Sequence, residues 1–246
     1  MGEPRQGDGG WTVTEVRLIS EIEVELVRAM ASDEAVAEAA RVSTAKDRAA
    51  TGRPVQGLIG ALMRERHGSP FEHGMFTFRV HAPIFVFREW MRHRAGWSYN
   101  EQSGRYTEFE PVFYVPAPGR PLVQQGKAMD YDLRPGSDGQ YVTAQMDLED
   151  GCREAYERYR RMLGEGIARE VARMVLPVST YSTMYATCNP RSLMHFLSLR
   201  TREDDAAYPS KPQVEIEWAA RQCEKVLEDS MPVTYAAWHA NGRVAP

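Results

Sequence analysis

Cysteine is scarce and unpaired: Cys152, Cys188 and Cys223 are the only three in 246 residues, with no Cys-x-x-Cys spacing and no histidine at finger distance. That pattern indicates neither a disulfide framework nor a structural zinc site, so no metal ligands are expected, and the reduced thiols of a cytoplasmic protein are the simplest reading. Long apolar runs are missing as well. No membrane span is expected, and Met1 to Gly10 is a polar, glycine-rich tail without the apolar region of a signal peptide. Charge of one sign is not in excess either, since the formal net charge of −4 arises from interspersed acids and bases. Such a chain has no global field to hold a duplex or an anionic membrane. Glycine-rich cofactor motifs are absent: Gly7-Asp8-Gly9-Gly10 precedes any strand, and there is no P-loop, nucleophile elbow or His-Glu-x-x-His helix. A cofactor, if the protein uses one, is held by another device.

What the chain does contain is one dense polar segment, Arg92-His93-Arg94-Ala95-Gly96-Trp97-Ser98-Tyr99-Asn100-Glu101-Gln102-Ser103-Gly104-Arg105-Tyr106. Guanidinium forks bind phosphate oxygens bidentately, hydroxyls and amides read the edges of a small polar ligand, and Gly96 and Gly104 allow close backbone approach. The segment is expected to line a site for an anionic, ring-containing molecule, a nucleotide above all. Arg92, His93 and Arg94 also follow an apolar helical pattern, in which cations of the last turn complement the helix dipole without any ligand. The polar run after them has no such explanation.

The rest of the chain reads as one α/β domain over residues 11–246, with no internal repeat and more helix than strand. Trp11 to Ile19 alternates as an edge strand would. Ser32 caps a helix from Asp33 to Val42, a polar break spans Thr44 to Pro54, and Val55, Leu58, Ile59, Leu62 and Met63 form a helical stripe ending near Gly68. After a turn at Ser69 to His73, Phe76, Phe78 and Val80 predict a strand that His81-Ala82-Pro83 breaks. Pro83 then suits the first position of a helix carrying Ile84, Phe87 and Met91 on one face. Residues 107–140 are rich in proline and glycine, with only Val112 to Val115 resembling a strand, and read as an irregular excursion and candidate lid. A long helix follows from Thr143 to Leu163. A second runs from Ile167 to Val175, where Glu170 and Arg173 are spaced to pair. Ser179 to Thr187 predicts a strand, Asn189-Pro190-Arg191 opens a helix ending near Arg200, Thr201 to Pro212 is a loop, and Gln213 to Leu227 is a final amphipathic helix with Val214, Trp218 and Val226. The residues after it are expected to be dispensable.

The central segment resembles the signature of the flavin-dependent thymidylate synthases. Further pieces resemble that family in the same order: Ser69-Pro70-Phe71-Glu72-His73, Ala82-Pro83-Ile84-Phe85-Val86, Arg169-Glu170-Val171-Ala172-Arg173 with Leu176-Pro177, and Asn189-Pro190-Arg191-Ser192-Leu193 running to Leu199-Arg200. The resemblance extends from about Ala39 to Glu217. It implies a single catalytic domain with a central mixed or antiparallel sheet flanked by helices, assembled as a homotetramer with active sites between subunits. It further implies reductive methylation at C5 of dUMP, with FAD as cofactor, methylenetetrahydrofolate as carbon donor, NADPH as reductant and no cysteine nucleophile.

Carried over by position, Arg200 would activate the uracil by favouring its N3-deprotonated form, and Ser103 would orient the ring. Glu89, Arg92, Glu101, Gln102, Gly104, Arg105 and Arg173 would complete the nucleotide site. Ser69, Arg92, His93, Arg94, Glu101, Asn189, Arg191 and His195 would contact FAD. The chain departs from the family pattern in four places. One extra residue lies near Ala95-Gly96-Trp97, Glu89 stands where glutamine is common, His195 stands where asparagine is common, and the Thr201 to Pro212 loop is longer and lacks a histidine. A carboxylate at Glu89 could accept a hydrogen bond from a ribose 2′-hydroxyl, which makes UMP an alternative substrate, although pairing with Arg88 or Arg92 would explain the same residue. Two other classes of function stand beside these. Arg94, Trp97, Tyr99, Arg105 and Tyr106 could form a stacking platform for single-stranded nucleic acid, or the chain could bind a nucleotide without catalysis.

Overall fold

The computed structural model describes residues 15–44, 54–127 and 130–246, so the tail, the start of the first expected strand and most of the 44–54 break lie outside the described residues. Its centre is a four-stranded antiparallel sheet in the order β2 (Glu23–Met30), β3 (Met75–Pro83), β8 (Tyr181–Cys188), β4 (Trp97–Glu101). The period-two alternation of β3 sends Phe76, Phe78, Val80 and Ala82 to one face, and Met184, Ala186 and Cys188 of β8 join them in the main core. The helices α3 (Ile84–Trp90), α6 (Pro190–Arg200), α7 (Val214–Ser230) and α8 (Pro232–Ala240) contribute Trp90, Phe196, Ile216 and Trp238 to the same core. This is the α/β class with an antiparallel sheet expected from the sequence.

A second core lies apart from the first, where α4 (Asp138–Gly164) packs Cys152, Tyr156 and Tyr159 against Val16 and Phe113. The short parallel pair of β1 (Arg17–Ile19) and β5 (Val112–Tyr114) lies beside it. Among the described residues no helix is long and apolar enough to cross a membrane.

Several boundaries differ from expectation for identifiable reasons. Sequence pattern assigns nothing between Ile19 and Ser32, yet β2 occupies most of that gap, because a register shift between Leu26 and Arg28 disrupts its alternation. The helix α1 (Asp33–Arg41) is as expected, with Ser32 Oγ accepting from Ala35 N at 3.1 Å. The helix α2 (Gln56–Arg64) stops short of Gly68: Arg66, not a glycine, takes the left-handed conformation at φ 61°. The bonds from Arg66 N to Met63 O and from His67 N to Leu62 O then close a Schellman turn. The strand β3 runs through His81-Ala82-Pro83 to its pairing with Tyr181, since a proline is tolerated at a strand's end, and Pro83 is the N-cap of α3 rather than its first residue.

The 107–140 excursion is more ordered than its composition suggests. It contains a second hairpin, β6 (Val123–Lys127) with β7 (Asp130–Arg134), and α4 begins five residues before Thr143 on a capping box of Ser137 and Gln140. Its anchor is the buried carboxylate of Glu215 on α7, which accepts from Tyr114 Oη at 2.7 Å and from Arg120 Nε at 2.8 Å. These bonds hold Glu215 ionised below its ordinary range although burial opposes them.

The inner face of α7 is also not the one expected. Ile216, Ala219, Ala220, Cys223 and Leu227 are buried, whereas Trp218 is exposed. The residues after Leu227 are not dispensable. The helix α8 buries Trp238, and Asp33 caps it by accepting from Val233 N and Thr234 N, both at 2.8 Å, and from Thr234 Oγ1 at 2.6 Å.

Candidate active site

Most of the expected site residues fall into two cavities that share no lining residue. The first, of about 590 Å³, opens between the end of α3, the turn after it and the last turn of α6. Glu89, Arg92, His93, Arg94, His195 and Arg200 line it, with Trp97 as an aromatic wall. Asn189-Pro190 places these last-turn residues: Asn189 Oδ1 accepts from Ser192 N at 2.8 Å, and Pro190 fills the first helical position. Arg200 is the best-tethered cation here. Its Nη1 donates to Glu89 Oε2 at 2.7 Å, Nη2 to Glu89 O at 3.1 Å and Nε to His93 Nε2 at 3.0 Å. Glu89 therefore pairs with Arg200, not with Arg88 or Arg92, a contact invisible to local spacing because 111 residues separate the two.

His93 must be neutral and protonated on Nδ1 to accept that Arg200 hydrogen. Burial first, then the Arg200 charge and His195, hold its pKa down to about 4. Its ring stands edge-on to Phe196 at 5.0 Å, and Phe196 stacks on Trp90 at 4.8 Å. Because the unfolded chain protonates His93 near pH 6.5 and the folded one only near 4, folding loses stability as pH falls between those values, by roughly 3 kcal/mol in total. Urea unfolding from pH 7 to pH 4 is expected to show this loss in the wild type. His93→Gln, which keeps an acceptor for Arg200 but does not titrate, loses correspondingly less; equal pH slopes in the two proteins would refute the assignment.

The turn between Arg94 and β4 is tightly constrained. Gly96 lies at φ 68°, where a Cβ would come within 2.2 Å of Ser192 Oγ, and Ser192 Oγ donates to Ala95 O at 2.9 Å. The turn is thus pressed onto the start of α6. Trp97 then enters β4 and stacks on Tyr99 at 5.7 Å, while Tyr99 Oη donates to His93 O at 2.6 Å. With Trp97 buried and Tyr99 committed to the backbone, these rings do not form an exposed stacking platform for nucleic acid.

The second cavity, of about 480 Å³, lies beyond the far end of β4 and holds Glu101, Gln102, Ser103, Arg105 and Arg173. Glu101, where the strand turns inward, is pushed above its usual range by burial, with Ser182 and Arg173 opposing the shift. Glu170 pairs with Arg105, at 3.0 Å, instead of with Arg173. The short helix α5 (Arg169–Ala172) gives way at Arg173 to a 3-10 turn, which ends the regular spacing expected to pair the two. Gly104 packs against Phe109, whose ring a Cβ would meet at 2.2 Å, so the close approach there is to the protein itself. Ile84, Phe109, Met174 and Leu176 form the apolar part of the lining, and no polar pattern in the sequence singled them out.

Ser69, Gly104, Asn189 and Arg191 line neither cavity. Arg191 Nη1 instead pairs with Glu72 at 2.6 Å and its Nε donates to Pro246 O at 2.5 Å, while Asn189 serves as the cap of α6. All three cysteines are buried free thiols.

Comparison with known proteins identifies the family. The model of the family described as thymidylate synthase complementing protein matches residues 25–233. The chain is 55% identical over 236 residues to the flavin-dependent thymidylate synthase of Streptomyces coelicolor, covering 94% of this chain and 96% of that one. It is 52% identical over 233 residues to that of Tropheryma whipplei, covering 93% and 96%. Among solved structures, the UMP/dUMP methylase PolB from Streptomyces cacaoi bound with 5-Br UMP is similar at a TM-score of 0.89 and 53% identity, covering 94% of this chain and 100% of that one. The same protein bound with 5-Br dUMP gives a TM-score of 0.88 and 54% identity, with the same coverage. The chain is an enzyme of the methyltransferase type and belongs to the flavin-dependent thymidylate synthase family.

Proposed function

We propose that the enzyme methylates C5 of a uridylate nucleotide, dUMP to dTMP, with FAD as flavin, methylenetetrahydrofolate as carbon donor and NADPH as reductant. The observation that carries this reading is the Arg200 guanidinium, fixed at a cavity wall by Glu89 and His93. A fixed cation beside a uracil stabilises the N3-deprotonated ring and raises electron density at C5, and it needs no reorganisation as the charge develops. The first cavity also fits a flavin: Arg92 and Arg94 suit its phosphates, His93 and His195 its polar edges, and Trp97 its ring. Bound reduced flavin supplies the reducing equivalents, while the protein contributes orientation and charge.

Ser103, Arg105 and Arg173 suit a nucleotide's base and phosphate but lie in the other cavity. A homotetramer in which the first cavity of one subunit faces the second of another unites the two sets. The exposed apolar side chains of Val171, Met174, Val175 and Val178 beside the second cavity support such burial. A cysteine nucleophile is not required: burial pushes the thiols of Cys152, Cys188 and Cys223 up, away from the reactive thiolate.

A second reading, acceptance of UMP as well as dUMP, is favoured by the similarity to a UMP/dUMP methylase and by Glu89. Its Oε2 is held by Arg200, and Oε1 remains for a sugar hydroxyl. Purified protein supplied with FAD, NADPH, methylenetetrahydrofolate and either nucleotide is expected to yield the methylated base. A thousandfold preference for dUMP would end the second reading. Colourless protein that forms no product and binds oligonucleotides in a salt-sensitive way would end both.

A further inference from the structure

One buried polar cluster lies outside both cavities, where the end of α6 meets the C-terminal turn. Arg243 is only 3% exposed and adopts a left-handed conformation at φ 58°. Its guanidinium lies over the Trp238 ring at 4.2 Å. Nη1 donates to Glu224 Oε1 at 2.6 Å and lies 2.7 Å from His239 Nε2, and Nη2 donates to Thr201 Oγ1 at 2.7 Å. The Thr201 hydroxyl in turn donates to Leu197 O at 2.7 Å, inside the last turn of α6. The same C-terminal turn holds the following loop at a second point, through Ala207 N to Gly242 O at 3.0 Å.

Two features of this cluster are unfavourable in themselves. A buried guanidinium is costly to desolvate, and a non-glycine residue at positive φ is strained. Ending a helix requires neither, because last-turn carbonyls are ordinarily met by water or a glycine cap, and last turns fray. The residue that cannot tolerate fraying here is Arg200. It is the final residue of α6, directly precedes Thr201, and its three hydrogen bonds to Glu89 and His93 set where its charge points.

We propose that Arg243 is a positioning residue for Arg200: by clamping Thr201 it keeps the last turn of α6 closed and the Arg200 guanidinium aimed into the first cavity. This rests on the reading of Arg200 as the group that activates the nucleotide. Glu224 neutralises Arg243 and Trp238 supports its flat face, so the clamp is rigid at its base.

The test compares kcat, nucleotide Kd and Tm of the flavin-loaded enzyme across four variants. Thr201→Val removes the acceptor at nearly constant shape, Thr201→Ser keeps it, Arg243→Lys removes the fork, and Asp33→Asn weakens the α8 cap without touching the clamp. A misaimed catalytic group costs rate more than binding, so Thr201→Val and Arg243→Lys are expected to lower kcat about tenfold while Kd changes less than about threefold. Thr201→Ser should keep kcat within about twofold of wild type, and Asp33→Asn should lower Tm with kcat kept. If Arg243→Lys fails to fold, the pair of Thr201 variants decides alone. Wild-type kcat in Thr201→Val, or a kcat that follows Tm across all four variants, overturns the positioning role while leaving Arg200's own role standing. A wild type that forms no methylated base overturns the Arg200 reading, and the clamp's purpose with it.

Discussion

Replacing Arg200 with alanine is expected to lower methylation by roughly 10²–10³-fold while the protein still binds nucleotide, because in the proposed reaction the guanidinium is a preorganised charge aimed at a developing anion. The side chain is 16% exposed and touches both Glu89 and His93, so truncation also leaves the Glu89 carboxylate without its cation. A fall in Tm therefore accompanies the loss of rate, and the two effects must be separated. The double variant Arg200→Ala/Glu89→Gln removes the orphaned charge, and is expected to recover much of the Tm and none of the rate. Arg200→Lys recovers little, since one ammonium cannot reproduce a planar fork held by Glu89 Oε2, Glu89 O and His93 Nε2 together. Single-turnover formation of the methylated base, with nucleotide affinity measured by calorimetry, checks the expectation. An Arg200→Ala enzyme within tenfold of wild type removes this residue from the chemistry.

The second large effect is on stability. Trp90 is fully buried, stacked on Phe196 at 4.8 Å and edge-on to Trp97 at 6.1 Å, so it backs both the site wall and the main core. Trp90→Ala leaves a cavity that close-packed neighbours only partly fill, and is expected to cost about 4 kcal/mol of unfolding free energy in urea. Trp90→Phe is expected to cost under about 1.5 kcal/mol. The difference has a specific source: the indole N–H has no hydrogen-bond partner among the described residues, so phenylalanine discards a polar group that the fold leaves unsatisfied. A Trp90→Phe protein as unstable as Trp90→Ala would show that the N–H matters after all.

Local pattern carried much of the fold. Ser32 and Asn189 announce their helices through caps whose geometry depends on a few adjacent residues, and the alternation of Phe76, Phe78 and Val80 gives β3 its inner face. Where the deciding contact is distant, pattern failed. Arg66 substitutes for the glycine that would have marked the end of α2, and Glu215 orders a proline-rich excursion by binding Tyr114 and Arg120, which lie 101 and 95 residues from it. The same division holds at the site. The polar segment marked Arg92, His93, Glu101 and Ser103 as lining residues, and they are. That the segment is split between two cavities, and that Glu89 answers to Arg200, depends on how β4 and α6 are brought together.

The strand order has a consequence for how the molecule is made. Because β8 lies between β3 and β4, the first hairpin-like half and the strand bearing the functional segment have no shared ladder until β8 arrives, with Thr77 and Thr187 meeting across 110 residues. Loop closure over that distance is entropically slow. A ribosome-bound fragment that ends before Tyr181, where β8 begins, thus has a core nucleus in β2 and β3 but no template to fix β4. The position of β4, and with it the cavities that Trp97 and Glu101 line at its two ends, is fixed late in synthesis, once β8 inserts.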